Sequence, residues 1–209
     1  MTRNDINRAI LFDFDGTLLD SFATHYGAYE RMFAHFGIAI DRDRFAEAYS
    51  PDWYVTFRAF GLPAEQWKDA DALWLREAAR HDAPLRDACI SVVTSLWPQW
   101  RLGVVTFGSH RRVMADLQRT NLAAHMEVVV SGEDVQSRKP SPEGILQALE
   151  KLGVSPSRAV YVGDTPIDSD TARAANVRFV GIQSDFCKLE AETMVTALSD
   201  LPRVLPANW

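Results

Sequence analysis

The sequence predicts an α/β protein: a doubly wound parallel sheet with an all-helical insertion after its first strand. Three observations carry this reading. Apolar runs of strand length without polar alternation occur at 9–12, 102–106 and 159–162, as in strands buried on both faces. Segments of helical periodicity lie between them, and strands that alternate with helices build a parallel sheet. From Ser21 to about Ala83 the periodicity is helical throughout, which sets that stretch apart from the rest.

Residues 9–12 form the expected first strand, which delivers Asp13-Phe14-Asp15-Gly16-Thr17. The two acids share parity, so both can point the same way from an extended chain. Phe22, Tyr26, Tyr29, Phe33 and Phe36 then recur at steps of four and three. That spacing makes one aromatic stripe on a helix, which Gly37 ends. His25 and His35, on or beside this helix, read as surface or packing residues. A short helix is expected from Asp41 to Tyr49, and another from Ser50-Pro51 to Gly61. Leu62-Pro63 leads into a longer one reaching about His81, with Trp67, Ala70, Trp74 and Ala78 on one stripe.

Pro84 to Trp97 reads as helical until Pro98 breaks the pattern. Residues 102–106 are the second strand, and after Phe107-Gly108-Ser109 a helix is expected over about 110–120. The third strand is 127–130, followed by a polar loop from Ser131 to Lys139. Ser141-Pro142-Glu143 reads as a helix start, with a serine cap, proline first and an acid in the first turn, and Gly153 ends that helix. The fourth strand, 159–162, leads into Gly163-Asp164-Thr165-Pro166. A helix over about 167–175 is closed by Asn176, a residue that tolerates the left-handed conformation. The fifth strand is 179–182, and a last helix is expected over 186–198 before a frayed tail.

The 209 residues suffice for one large domain or a domain carrying a smaller insert. The formal net charge is −6 and the basic residues are scattered, which argues against a nucleic-acid partner. Any phosphate site must therefore be locally positive. The polar start, Met1 to Arg8, carries no signal peptide, and no apolar run approaches membrane-spanning length, so no membrane partner is expected. Cys89 and Cys187 have no metal-type spacing and no obvious pairing, which fits a cytoplasmic location.

In a doubly wound sheet, ligands bind beyond the carboxyl ends of the strands. The special polar residues follow the first four strands and can converge there. Asp13 is a candidate nucleophile, since a carboxylate can attack a phosphoryl group. Asp15 can protonate the leaving oxygen and then deprotonate water. Thr106, with the amides around Phe107 and Gly108, suits a phosphate oxygen. Lys139, one of four lysines in the chain, can neutralise Asp13 and the phosphoryl group. Asp164 fits a metal ligand, and Asp168 an acceptor that holds a metal-bound water or Lys139. Taken singly, each has a plainer use: a strand-to-helix turn at Thr106, a surface lysine, helix caps at Asp164 and Asp168. Hard oxygen ligands and a phosphate task imply Mg²⁺.

Four motifs together resemble the haloacid dehalogenase-like (HAD) hydrolases, in the branch with a helical cap after the first strand and similar to phosphoglycolate phosphatases. They are Asp13-Phe14-Asp15-Gly16-Thr17, Val105-Thr106-Phe107-Gly108-Ser109, Lys139-Pro140-Ser141-Pro142-Glu143 and Gly163-Asp164-Thr165-Pro166-Ile167-Asp168. The resemblance implies a Rossmann-like core of residues 1–20 and 84–209 and a cap of residues 21–83. It also implies Asp13 as nucleophile, Asp15 as acid and base, and Thr106 and Lys139 on phosphate. Mg²⁺ would be held by Asp13, the Asp15 carbonyl and Asp164. Phe107, commonly small or polar in relatives, and Asn176, usually glycine, depart from the pattern.

The expected activity is a Mg²⁺-dependent phosphatase acting on a small phosphorylated metabolite through an aspartyl phosphate. A sugar phosphomutase shares every core motif, and a non-catalytic binding protein on the same fold is a further alternative. Asp15 argues against a dehalogenase. The only lysine of the insert, Lys68, sits beside Trp67 on a helix that reads as packed, which argues against a phosphonate hydrolase. Residues 50–54 are the expected cap loop facing the site, with packing among the cap helices as the competing use of Trp53 and Tyr54. Substrate and oligomeric state do not follow from the sequence.

Overall fold

The computed structural model describes residues 5–206. The first four residues of the polar start and the last three of the tail lie outside it. The sheet has six parallel strands: β1 (Ala9–Phe12), β2 (Arg101–Val105), β3 (Val128–Val130), β4 (Ala159–Gly163), β5 (Arg178–Ile182) and β6 (Met194–Val195), in the order β3-β2-β1-β4-β5-β6. β1 is central, with Leu11 opposite Gly103 of β2 and Tyr161 of β4. All four β1 residues are buried, because both faces of the sheet are covered. Ile10 and Phe12 join Val160 and Val162 in one core cluster; Ala9 and Leu11 join Ala159 and Tyr161 in the other.

Helices clothe the two faces. α5 (Cys89–Leu96) and α6 (His110–Arg119) supply Val92, Leu96, Val113 and Leu117 to the first cluster. α7 (Glu143–Leu152) and α8 (Pro166–Ala174) supply Ile145, Leu149 and Ala172 to the second. The chain leaves β1 in one direction through β2 and β3 and in the other through β4 to β6. The carboxyl ends of β1 and β4 therefore meet at the switch point where such sheets bind ligands.

Four of the five helices between β1 and β2 form the insert: α1 (Phe22–His35), α2 (Arg42–Ala48), α3 (Trp53–Ala59) and α4 (Trp67–Ala78). They have a core of their own, built around Tyr29, Phe33, Phe45, Phe57 and Trp74. Full burial contributes about 1.5–3 kcal/mol for each phenylalanine. One side chain of the sheet domain enters this cluster: Phe186, from the segment after β5. Glu77 of α4 is buried but bonded, to Arg31 at 2.9 Å and Arg80 at 2.7 Å.

Several expectations are corrected. Only Cys89–Leu96 of the expected 84–97 helix is helical. Leu85 instead bridges Leu19 antiparallel, and Asp20 N and Arg86 N donate to the carbonyls of Pro84 and Leu18. The backbone there is thus committed to the chain leaving β1. The expected 186–198 helix is absent; the segment returns to the sheet as β6, followed by the short α9 (Leu201–Val204). The open edge of β5 explains this, since Gly181 N and Gln183 N donate to Thr193 and Val195. α3 starts at Trp53, not at Ser50-Pro51, because Asp52 accepts the Tyr54 amide at 3.2 Å. α4 ends at Ala78, short of His81, behind a 3-10 turn over Ala64–Gln66. α7 starts at Glu143, with Pro142 in the cap position and the Ser141 hydroxyl accepting the Glu143 amide. Among the described residues, no helix is long and apolar enough to cross a membrane.

Candidate active site

Asp13 follows β1 directly, and its amide continues the ladder to the Val162 carbonyl at 2.8 Å. Lys139, arriving on the loop before α7, puts Nζ 2.8 Å from Asp13 Oδ1, 2.7 Å from Asp168 Oδ1 and 3.0 Å from the Tyr161 hydroxyl. Tyr161 lies 3.0 Å from both the Val105 carbonyl and Asp168 Oδ1. Asp168 Oδ2 accepts the amide and hydroxyl of Thr165, whose oxygen accepts the Asp168 amide in return. Asp168 therefore closes a capping box on α8 and holds Lys139 as well.

Burial sets the protonation of this cluster. It pushes the Asp13 carboxyl up, Lys139 pulls it down and Asp168 raises it again, leaving it at about 7. Burial, then Asp13 and Asp168, push Asp164 well above the usual range. For Lys139, burial works against the charge, but Asp13 and Asp168 outweigh it and hold the ammonium above its ordinary value. Asp164 accepts from Thr17 at 3.2 Å and from Ser184 at 2.6 Å. Gly16, at φ +76°, allows that approach: a Cβ there would stand 2.1 Å from Asp164 Oδ2.

Asp13, Asp164 and Asp168 each present a carboxylate oxygen within 4.8 Å of the others. Both Asp168 oxygens are already engaged, so Asp13 and Asp164 are the acids available to a cation. Two buried carboxylates that repel each other, with hard oxygen donors, fit a hard divalent ion.

Asp15 behaves differently from Asp13. Its carboxylate is paired with Arg112 of α6, Nη1 lying 3.1 Å from Oδ1 and Nη2 closing on Oδ2, and His25 Nε2 is 3.4 Å away. Burial pushes the Asp15 carboxyl up, but Arg112 and then His25 outweigh it and hold the group well below the usual carboxylate range. His25 packs against Trp74 and Phe186, with ring centroids at 5.5 and 5.6 Å. Its reach to Asp15 was not expected from sequence.

At the end of β2, Thr106 Oγ1 accepts the Gly108 amide at 3.2 Å, and the Phe107 ring centroid lies 5.2 Å from Lys139 Nζ. Asp13, Asp15, Thr106, Phe107, Gly108 and Asp164 line one cavity. Lys139 and Asp168 stand behind Asp13. The neighbours Trp53 and Tyr54 separate: Trp53 lines the cavity, whereas Tyr54 stacks on Trp67 at 5.1 Å and faces outward.

Sequence reasoning missed Tyr161, Arg112 and Arg86. Arg86 donates to the Gly16 and Gln183 carbonyls, both at 2.7 Å, and so ties the loop after Asp15 to the end of β5. The one available signal was the hydroxyl of Tyr161 inside an otherwise apolar run; Arg86 and Arg112 carry none.

Comparison with known proteins agrees with this architecture. Residues 10–182 match the family described as haloacid dehalogenase-like hydrolase. Pyrophosphatase PpaX of Bacillus pumilus is 27% identical over the whole of both chains. A phosphoglycolate phosphatase of Chromobacterium violaceum is 26% identical, covering 93% of this chain and 94% of that one. A haloacid dehalogenase-like family hydrolase from Streptococcus pneumoniae superposes with a TM-score of 0.84 at 20% identity, over 94% of this chain and 97% of the other; at that identity the likeness concerns the fold.

Proposed function

The chain belongs to the haloacid dehalogenase-like hydrolase family, and on that premise we propose that it is a Mg²⁺-dependent phosphatase acting on a small phosphorylated metabolite. The observation that carries the reading is the contact of Lys139 Nζ with Asp13 Oδ1 at 2.8 Å, beside Asp164 at the switch point of the sheet. The carboxylates of Asp13 and Asp164 and the backbone carbonyl of Asp15 would hold the Mg²⁺. The ion supplies positive charge that lets a phosphate dianion approach a carboxylate.

The chain's own groups account for the rest. Lys139, the Thr106 hydroxyl and the Phe107 amide bind the non-bridging oxygens. An Asp13 oxygen attacks phosphorus in line; the P–O ester bond breaks, and its electron pair leaves with the alcohol oxygen, which takes a proton from Asp15. Water then attacks the aspartyl phosphate, Asp15 accepts its proton, and Asp13 is released with inorganic phosphate. As positioned here, Asp15 is a carboxylate ready to act as base. Serving as acid requires that its contact with Arg112 loosen. Residues 21–83 act as a cap that excludes water during this sequence.

The test is hydrolysis of p-nitrophenyl phosphate and small phosphate esters with Mg²⁺ and with excess EDTA, coupled to intact-protein mass spectrometry for phosphate on Asp13. We expect turnover with Mg²⁺ alone and no phosphorylation of Asp13→Asn. Full activity in EDTA would refute the metal assignment, and a phosphorylated Asp13→Asn protein the nucleophile.

A further inference from the structure

We propose that the leaving group of the substrate is uncharged, with an apolar or flat body that carries a hydrogen-bond acceptor recognised by Trp74. This rests on the phosphatase reading above. In-line displacement puts the leaving oxygen opposite Asp13, towards the four-helix insert. The insert lines the catalytic cavity with His25, Tyr29, Tyr49, Trp53, Trp74 and Leu75, together with Pro51. None of these is an aspartate, glutamate, lysine or arginine. The one arginine of the lining, Arg112, is paired with Asp15 and lies 3.5 Å from Asp116, so it keeps a carboxylate partner when Asp15 takes up a proton. An anionic leaving group would thus be buried without a counter-charge, which is strongly unfavourable.

The roof offers ring faces instead. Trp53 and Trp74 lie 5.7 Å apart, and Tyr49 and Phe186 lie 4.5 Å apart. Trp74 is 5% exposed, and its Nε1 is buried with no hydrogen-bond partner. An indole N–H only donates, and a buried donor left unpaired is rare enough to need an explanation. An acceptor on the bound guest supplies one. His25 Nδ1 is likewise buried without a partner.

The space agrees. The catalytic cavity is about 60 Å³ and holds little beyond a phosphoryl group. It shares His25, Trp74, Leu75, Ser109 and Arg112 with an adjoining cavity of about 550 Å³, which can take the rest of the substrate. The wall of that second cavity carries Arg111 and Arg112 but also Asp82 and Asp116. The formal charges of this lining cancel, and because Asp82 and Asp116 both pair with Arg119, an anionic tail meets Arg111 as the one unpaired cation among the described lining residues, in a cavity open to water. Pyrophosphate and phosphoglycolate, for which two of the relatives are named, both present a second anionic group.

The test compares two esters of one alcohol framework, 4-(methoxycarbonyl)benzyl phosphate and 4-carboxybenzyl phosphate, on the Mg²⁺-loaded full chain. The first is neutral beyond its phosphate and keeps a carbonyl acceptor; the second carries a carboxylate. We expect kcat/KM to favour the neutral ester by about tenfold or more, as burial of an unpaired charge requires. Plain benzyl phosphate should also surpass phosphoglycolate and pyrophosphate. Trp74→Phe keeps a ring and removes the donor. It should lower the ratio of methoxycarbonylbenzyl to benzyl phosphate turnover by roughly fivefold, the weight of one neutral hydrogen bond. A tryptophan-fluorescence titration of Asp13→Asn with the same esters reads recognition independently of turnover. Preference for the carboxylate, or equal treatment of the pair, would overturn the inference while leaving a working phosphatase. Binding that favours the neutral ester, without hydrolysis of any ester, would support the inference and count against the phosphatase reading.

Discussion

On the sheet side of the cavity, Lys139, Asp13, Tyr161 and Asp168 are joined by hydrogen bonds of 2.7 to 3.0 Å. On the helical side, Tyr49, Trp53, Trp74 and Phe186 meet ring to ring, and Trp74 Nε1 has no partner. Directional bonds between buried charges fix the first set in one arrangement. Removing a partner leaves a charge stranded, which is among the costlier events in a folded protein. Ring contacts are weaker and tolerate changes of shape. The floor is thereby suited to one reaction, and the roof to changes of substrate without loss of that reaction. Substitutions on the two sides should fail in different ways.

The largest effect in this comparison is expected on the floor, at Asp15. General acid and base help is typically worth roughly 10²–10⁴-fold, and Asp15→Asn should lose about that much with alkyl phosphates. With p-nitrophenyl phosphate the leaving group needs no proton, so the variant should still phosphorylate Asp13 and then stall. Rapid mixing should show a burst approaching about one nitrophenolate per site, whereas an alkyl ester should show none. Wild-type turnover of both esters by Asp15→Asn would show that the floor does not divide its labour in this way.

Next in size is a pH effect that belongs to the floor alone. In the folded, metal-free chain Asp13 is raised from 3.8 to about 7, and Asp164 is raised as well. Between about pH 4 and 7 the folded state therefore holds protons that the unfolded chain has released. Stability must then fall as pH rises through that window. Asp15 is shifted the other way, and its contribution is lost only as pH falls below the ordinary carboxylate range. The melting temperature in EDTA should decrease from pH 5 to pH 8, and Mg²⁺ should flatten the trend by taking the place of the protons. A metal-free melting temperature that stays level or rises over this interval would show that the buried carboxylates are not strained by charge.

The same contrast governs what can be read from sequence. Asp13, Thr106 and Asp164 each stand just beyond a strand end, and Lys139 closes the polar loop after the third strand, next to Pro140. Strand pattern and local chemistry suffice to place them on one edge. Asp15 was legible as an acid but not in its partnership, because Arg112 lies 97 residues away in the chain. Tyr161 carried a signal only in its hydroxyl, the one polar group of an otherwise apolar run, and nothing local named its partners. The segments misread as helix, 84–88 and 186–198, have backbone groups bonded to distant parts of the chain, the first to residues 18–20 and the second to the end of β5, and local periodicity carries no trace of such pairing. The roof was the least legible part, since Trp53 meets Trp74 through packing between two insert helices and Phe186 joins them only through packing of the insert on the sheet domain.

Trp53 and Tyr54 provide the finest test of the comparison, because they are adjacent in sequence and opposite in placement. Trp53 lines the catalytic cavity and packs on Trp74, with Arg138 6.0 Å from its ring centroid. Tyr54 is 39% exposed and stacks on Trp67 away from the cavity. Trp53→Ala removes part of the roof, so it should reorder a panel of phosphate esters, with shifts of up to about tenfold in relative kcat/KM, the weight of a lost apolar contact. Hydrolysis of p-nitrophenyl phosphate should change less, since the floor is untouched. Tyr54→Ala should lose ring contacts with Trp67, Phe57 and Trp53, about 0.5–1.5 kcal/mol of stability for each pair at most, and change the ranking of substrates far less than Trp53→Ala does. The measurements are kcat/KM across the panel and a thermal melt for each variant. If both substitutions lower every rate in proportion and both lower the melting temperature, the two rings serve one purpose. The roof would then be scaffold, and selectivity would have to be sought on the sheet side, at Phe107 and Arg112.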